Sequence, residues 1–324
     1  MTKRFTKVSV IVLLVAACLL VAFGGSEKAR GGGEISAALL SDQKLGDKGP
    51  VDLFHSGFKR GEKELGIKAK FLQIQHMGEF EAQIRAMAED GYQLIFVTFD
   101  TMADAAARVA KDFPKTHFVI LDGIVNQPLP NILSTLFKEQ EASYLAGVVA
   151  GKMTKTNKAG FIGGADIDII NRFLAGFIQG MEKVNPAAKV EVTYTNNFED
   201  PAKAKELALL LNSKGCDVLM SAAAKSTLGT YDAIKQTNQF IIGAEFDAAL
   251  VDPQRGLTSV YEAFDTLVYK VMKDEKDGAF KGGLKVYGMD EKMVDLTPIN
   301  KKIVPDEVSK LVEKIRGEII SGQI

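Results

Sequence analysis

Carboxylates, amides and phenyl rings recur at positions that directly follow the predicted strands of this sequence. A carboxylate accepts hydrogen bonds from hydroxyl groups, and phenyl rings can stack on a planar ring system. The candidate binding residues at these positions are Asp42, Phe99, Asp100, Asp122, Phe198, Lys225, Glu245 and Asp247. Together they predict a pocket for an uncharged, aromatic, sugar-bearing solute.

Five of these residues also have a purely structural interpretation. Phe198 precedes a helix start and can act as a hydrophobic staple. Asp122 can cap a turn, and Glu245 and Asp247 can form hinge hydrogen bonds. Lys225 can lie at a solvated helix start, although a cation is unfavourable there. We keep both interpretations open for all five residues.

Catalytic and metal-binding patterns are missing from the sequence. It has no G-x-S-x-G elbow and no histidine near a candidate serine or cysteine nucleophile. The three histidines His55, His76 and His117 lack the spacing of metal ligands. We therefore expect a binding protein without catalytic residues, metal or cofactor.

The composition is that of an ordinary globular protein. The 324 residues are 46% hydrophobic and 25% charged. Forty Lys and Arg against forty-one Asp and Glu leave no basic excess for a phosphate backbone, so we expect no nucleic-acid partner. Two cysteines cannot form a disulfide framework.

The N-terminus has the pattern of an export signal. Lys3, Arg4 and Lys7 precede an apolar run at residues 8–23, and small residues stand before Cys18. We expect a signal peptide at 1–17, lipidation of Cys18 and a glycine-rich tether at 18–34, which would anchor the protein to the cell membrane facing the periplasm or exterior. An uncleaved anchor helix and a plain cleaved signal stay open, because Leu19 and Leu20 continue the apolar run.

The elements that must position the binding residues alternate between strands and helices. Continuous apolar runs are typical of parallel strands covered on both faces. The predicted strands are 36–40, 69–74, 94–99, 117–121, 132–137, 159–162, 190–194, 218–221, 240–243, 257–260, 284–287 and 293–296. Helices are predicted at 79–90, 201–214, 264–276 and 305–321. The alternation predicts doubly wound α/β sheets.

The number of strands favours two lobes over one sheet. A long helical stretch at 139–156 separates two βα series. We expect a first lobe at 35–137 plus 261–285 and a second lobe at 138–260 plus 286–324. Ligands of such sheets bind beyond the carboxyl ends of the strands, so the pocket should lie between the lobes.

A series of ordered segments resembles one known family. They are Asp122-Gly123-Ile124-Val125, residues 137–139 and 142–147, Lys158 to Asp166, Arg172 to Phe177, Asn185-Pro186, residues 197–203 and Glu206-Leu207-Ala208. The sequence is similar to the basic membrane protein family of bacterial lipoproteins, of which purine nucleoside receptors are the best understood type. The resemblance covers most of residues 35–296.

The resemblance implies a fold, a function and partners. The fold is the two-lobed periplasmic-binding-protein fold of the first type. The function is delivery of a solute to an ABC importer, whose permease and ATPase are separate chains, and we expect the protein itself to be a monomer. A sensor or a surface adhesin on the same fold is the alternative.

Some family binding positions carry over directly and others do not. Phe198 keeps the family's ring before the second-lobe Asp-Pro. A D-K-S-F-N segment is here Asp47-Lys48-Gly49-Pro50-Val51, so Pro50 stands where a phenyl ring is expected. Phe54 can supply a displaced ring, with Asp52 or Asp42 as the hydrogen-bonding group.

The largest departure is a reversal of charge. The resemblance places a ribose-binding lysine where this chain has Glu262, and Lys225 can supply a cation from another wall. Glu245 and Asp247 occupy the two carboxylate positions of the family's G-V-D-x-D segment. An unpaired buried ionic group costs roughly 3 to 5 kcal/mol, so the ligand can differ from the usual one. Purine or related nucleosides, riboflavin and another solute stay open.

Overall fold

The computed structural model describes residues 35–324. The predicted signal peptide, Cys18 and the tether lie outside the described residues. None of the helices in the described part is both long and apolar enough to span a membrane.

The first sheet has six parallel strands in the order β11-β5-β4-β3-β1-β2. They are β1 (Ser36–Ser41), β2 (Lys68–Gln73), β3 (Leu94–Thr98), β4 (His117–Leu121), β5 (Ile132–Phe137) and β11 (Gly283–Tyr287). All five residues of β3 are buried, whereas the edge strand β2 is partly exposed. The apolar runs therefore form strands because helices cover both faces of the sheet.

The second sheet repeats this arrangement with one difference. Its order is β12-β10-β9-β8-β6-β7. The strands are β6 (Lys158–Gly163), β7 (Lys189–Tyr194), β8 (Val218–Ala222), β9 (Phe240–Ala244), β10 (Gly256–Glu262) and β12 (Val294–Leu296). β12 pairs with β10 in the antiparallel direction, and the other pairs are parallel.

Ten α-helices flank the sheets in the described part of the chain. They are α1 (Pro50–Leu65), α2 (Phe80–Glu89), α3 (Phe99–Asp112), α4 (Glu139–Met153), α5 (Asp168–Val184), α6 (Pro201–Ser213), α7 (Thr227–Ile234), α8 (Ala248–Val251), α9 (Phe264–Lys276) and α10 (Asp306–Ile320). Local sequence sets several boundaries. Pro201 occupies the first turn of α6, and the Asp200 carboxylate accepts a hydrogen bond from the Lys203 amide at 2.9 Å.

The prediction of an α/β fold with mostly parallel sheets is confirmed. The chain passes from the first sheet to the second after β5, returns through α9 to β11, and passes again to β12. Helix α9 packs on α1, and α4 packs on α5. The lobe limits given above stay a prediction.

Candidate functional site

A cavity lies between the carboxyl ends of the strands of the two sheets. It holds about 800 Å³, including the space at its mouth. The first sheet and its helices contribute Asp42, Gln43, Pro50, Phe99, Asp100, Thr101, Asp122 and Phe264. The second sheet and its helices contribute Ile167, Ile169, Ile170, Phe173, Phe198, Ala222, Ala224, Glu245 and Glu262. Its position agrees with the rule that α/β sheets bind ligands beyond their strand ends.

Seven of the predicted binding residues line this cavity. They are Asp42, Phe99, Asp100, Asp122, Phe198, Glu245 and Glu262. The structure therefore brings together side chains that span 221 positions of the sequence, from 42 to 262. Contact of these residues with a ligand stays a prediction.

Two predicted carboxylates serve as backbone caps instead of lining the cavity. Asp47 is buried and accepts hydrogen bonds from the amides of Gly49, Val51 and Asp52, at 2.9 to 3.2 Å. Asp247 accepts a hydrogen bond from the Ala249 amide at the start of α8. Both side chains hold the first turn of a helix, and neither lines the cavity.

Three further predicted residues also lie outside the lining. Asp52 accepts hydrogen bonds from the amides of Gly46 and Lys48. Phe54 is fully buried, with its ring centroid 4.7 Å from that of Phe264 and 5.9 Å from that of Phe99. Lys225 lies in the short 3-10 turn at 224–226. The geometry gives Asp52 and Phe54 structural roles, and Phe54 supports two rings that do line the cavity.

Four of the cavity residues have left-handed backbone, namely Ala224, with a φ angle of 45°, and three residues that directly follow central strands. Phe99, Asp122 and Glu245 are each the first residue after a central strand, namely β3, β4 and β9. Their φ angles are 58°, 54° and 64°. Non-glycine residues seldom adopt such angles, and they concentrate at functional sites where the surrounding structure fixes them. The sharp turn after each strand places these three residues in the cavity lining.

Phe198 is held by a buried serine and by a close glycine. The Ser226 hydroxyl donates to the Asn197 carbonyl at 2.8 Å and accepts from the Asp200 amide at 2.8 Å. The Ser226 amide donates to the Phe198 carbonyl at 3.0 Å. The ring packs so closely on Gly164 that a Cβ at this position would overlap it. Phe198 therefore belongs to a fixed loop that faces the cavity.

Two cavity carboxylates of the first sheet, Asp42 and Asp100, already have partners. The Thr98 and Thr101 hydroxyls donate to the two Asp42 oxygens at 3.1 and 2.6 Å. The Asp100 carboxylate accepts from the Ile124 amide at 2.7 Å. Burial raises the pKa of Asp42, and the two threonine hydrogen bonds oppose that rise.

Three acids of the cavity wall lie near a fourth acid and one base that are not part of the lining. The acids are Asp122, Glu139, Glu245 and Glu262. Arg172 binds Glu139 with both arms of its guanidinium, at 2.6 and 2.9 Å. Burial, and then repulsion among the acids, raises the pKa values of Asp122, Glu245 and Glu262 well above their ordinary range.

Sequence reasoning missed several residues of the site. Phe264 and Phe173 supply two more rings, and Ile167, Ile169 and Ile170 supply an apolar wall. Phe264 begins α9 directly after β10, so the strand-end rule, applied to this strand, would have indicated it. The Arg172–Glu139 pair joins residues 33 positions apart, and no local pattern indicates it.

The comparisons with known proteins agree with this architecture. The model of the Bmp family, described as ABC transporter substrate-binding protein PnrA-like, matches residues 35–324. The chain belongs to this family. Bmp-family membership makes the protein a substrate-binding protein of an ABC transporter, which implies a small-molecule solute and transporter subunits as partners.

Individual relatives of this Bmp-family chain cover nearly all of it. It is 30% identical to the ABC transporter nucleoside-binding protein BmpA of Lactococcus lactis, over the whole chain and 99% of the relative. It is 26% identical to basic membrane protein A1 of Borrelia garinii, over 89% of the chain and 86% of the relative. A solute-binding protein of an ABC transporter system from Aeropyrum pernix K1 superposes with a TM-score of 0.83 at 26% identity, covering 90% of this chain and 92% of that one.

Proposed function

We propose that this Bmp-family protein captures a planar, hydroxylated solute of the nucleoside type in the cavity and delivers it to an ABC importer. The single observation that carries the proposal is the composition of the cavity wall. Phenyl rings from both sheets face the same space as carboxylates from both sheets. Such a wall can stack on a planar ring and accept hydrogen bonds from hydroxyl groups.

The position of the rings supports stacking. Phe198 comes from a loop of the second sheet, and Phe99 and Phe264 come from the first sheet. A planar solute between these walls would contact rings from both sides. Closure of two lobes around a ligand is a common hinge motion, and it would present a changed surface to the permease.

The comparisons support the solute class. The Lactococcus lactis relative is named a nucleoside-binding protein, and its alignment spans the full length of this chain. We extend this solute class to the present chain as a proposal, with riboflavin as the alternative to be tested beside it. A sensor or adhesin role would be indicated if no solute binds.

Two further features belong to the proposed function. We propose that Cys18 is lipidated, so that the binding domain is tethered at the outer side of the cytoplasmic membrane or on the cell exterior through residues 18–34. We also propose that the protein acts as a monomer.

Isothermal titration calorimetry of the purified residues 35–324 with inosine, guanosine, adenosine and riboflavin tests the solute class. Binding of a nucleoside and not of riboflavin supports the proposal. Binding of riboflavin alone would show that the solute is a flavin and not a nucleoside. Failure of all four would contradict both assignments.

A further inference from the structure

The charges around the cavity are unbalanced. Five carboxylates line it, namely Asp42, Asp100, Asp122, Glu245 and Glu262. Within residues 35–324, no lysine or arginine is among the lining residues. The lysine that the family resemblance places at position 262 is a glutamate here. The wall of this cavity therefore carries acidic groups without basic ones, and a bound cation would favour the ionised form of these acids.

The nearest base does not neutralise this excess. Arg172 is engaged by both oxygens of Glu139, which is fully buried. A guanidinium held by a bidentate pair is largely neutralised by that partner. Asp122, Glu245 and Glu262 thus face the cavity without an equivalent partner of their own among the described residues.

Two buried carboxylate oxygens have no hydrogen-bond partner. Asp122 is 4% exposed and Glu262 is 2% exposed. One oxygen of each, Oδ1 of Asp122 and Oε1 of Glu262, accepts no hydrogen bond from any described residue. Buried polar atoms are nearly always satisfied, so an unpaired pair beside a cavity indicates a donor brought by the ligand.

The rest of the wall suits an organic cation. Phe99, Phe173, Phe198 and Phe264 line the same space, and phenyl faces attract a cation when water is excluded. No three His, Cys, Asp or Glu side chains of the described chain are grouped as metal ligands. This arrangement favours a large cation with a ring over a metal ion.

We propose that the solute carries a positive charge, placed near Asp122 and Glu262 and flanked by the phenyl rings, and that the site rejects anions such as nucleotides. The inference rests on the proposed function of this cavity as the solute site. It replaces the uncharged solute that the sequence predicts with a cationic nucleoside or a similar aromatic cation. A negative phosphate in the same position would find no basic partner and would oppose ionisation of the surrounding acids.

A pair of isomeric ligands tests the charge directly. 1-Methyladenosine binds a proton and is a cation at neutral pH, whereas its constitutional isomer N6-methyladenosine is neutral. Calorimetry at neutral pH should show the cation binding at least about tenfold more tightly, the scale of one charge-assisted hydrogen bond. Adenosine, adenosine monophosphate and thiamine, a hydroxylated aromatic cation without a sugar, complete the set. The nucleotide should not bind measurably.

Substitutions at Glu262 identify the source of the preference. Glu262→Gln keeps the shape of the side chain and should reduce the preference for 1-methyladenosine over N6-methyladenosine severalfold. Glu262→Lys should reverse it. Glu89→Gln removes an exposed carboxylate at the end of α2 and should change neither affinity. If Glu262→Lys does not fold, Glu245→Gln replaces it and should also reduce the preference.

The outcomes separate this inference from the proposed function. A cation preference that Glu262→Gln reduces supports both. Tight binding of thiamine with no nucleoside bound supports the inference and contradicts the nucleoside proposal. Neutral nucleosides that bind as tightly as 1-methyladenosine overturn the inference and leave the nucleoside proposal standing. Failure of every probe overturns both.

Discussion

At the scale of single residues, the position of Phe198 suits both of the roles that the sequence leaves open. Its ring packs on Gly164 and on neighbouring core residues, and it also lines the cavity. The loop that carries it is fixed by Ser226. A ring held in this way needs no reordering when a solute stacks on it, which favours binding.

Phe198→Ala should weaken solute binding by about 1 to 3 kcal/mol, the scale of stacking between a base and an aromatic side chain. The matched control is Phe71→Ala, because Phe71 is a partly buried ring on the edge strand β2 and does not line the cavity. Calorimetry on both variants measures the effect. An unchanged affinity in Phe198→Ala would mean that the ring packs on the core but does not stack on the solute.

Glu262 should make the ligand-free protein less stable as pH rises. Its pKa is raised by burial and by the neighbouring acids, so above the ordinary value of 4.5 the folded state binds more protons than the unfolded state. The free energy of unfolding therefore falls as pH rises from 4.5 through the folded-state pKa. Glu262→Gln removes this contribution, so its melting temperature should fall less than that of the wild type between about pH 5 and about pH 8.

Thermal melts of the wild type, Glu262→Gln and the exposed control Glu89→Gln across this pH range measure the effect. The control should follow the wild type. Parallel curves for all three proteins would mean that Glu262 does not titrate differently in the folded state.

At the scale of elements, most of the fold could be predicted from the sequence. Continuous apolar runs indicated every strand of both sheets within one or two residues at either end, because both faces of each sheet are covered. Only the direction of β12 differs from the prediction, since β12 is antiparallel to β10 and parallel strands were expected. Its direction depends on how the chain returns from β11, and no local sequence pattern indicates this return.

The site was harder to predict than the elements. The strand-end rule found Asp42, Phe99, Asp100, Asp122, Phe198 and Glu245, because the end of a strand determines where the next residues lie. It could not separate carboxylates that face the cavity from those that cap a helix, as Asp247 does. That choice depends on backbone amides that come near only after folding.

The Arg172–Glu139 pair joins α5 to the start of α4 beside the cavity. Removing one partner of a buried ion pair leaves an unpaired buried charge. Arg172→Met should therefore lower the free energy of unfolding by about 3 to 5 kcal/mol, and adding Glu139→Gln should recover part of that loss. Urea unfolding measures both.

The control for this prediction is Lys235→Met, which breaks an exposed pair with Asp232 at 3.0 Å. It should cost less than about 1 kcal/mol. Similar losses in the free energy of unfolding from Arg172→Met and Lys235→Met would show that the buried pair stabilises the fold no more than an exposed pair does.

At the scale of the whole molecule, the proposed lipid anchor at Cys18 would determine where the binding domain works. Cys18→Ala should move the protein, expressed with its full N-terminus, from the detergent phase to the aqueous phase in Triton X-114 partitioning, because the acyl chains supply the membrane affinity. Cys216→Ala is the control, since Cys216 is a buried core thiol. Retention of Cys18→Ala in the detergent phase would indicate an uncleaved anchor helix instead.

The central claim is that the cavity between the two sheets holds a planar, hydroxylated solute. The most direct test is mass spectrometry of small molecules released by denaturing the protein purified from its native cell, with Phe198→Ala purified in parallel. The account predicts a nucleoside-type compound, present at close to one per wild-type chain and depleted in the variant. Recovery of an equal amount of one compound from both proteins, or of a compound without a planar ring, would contradict it.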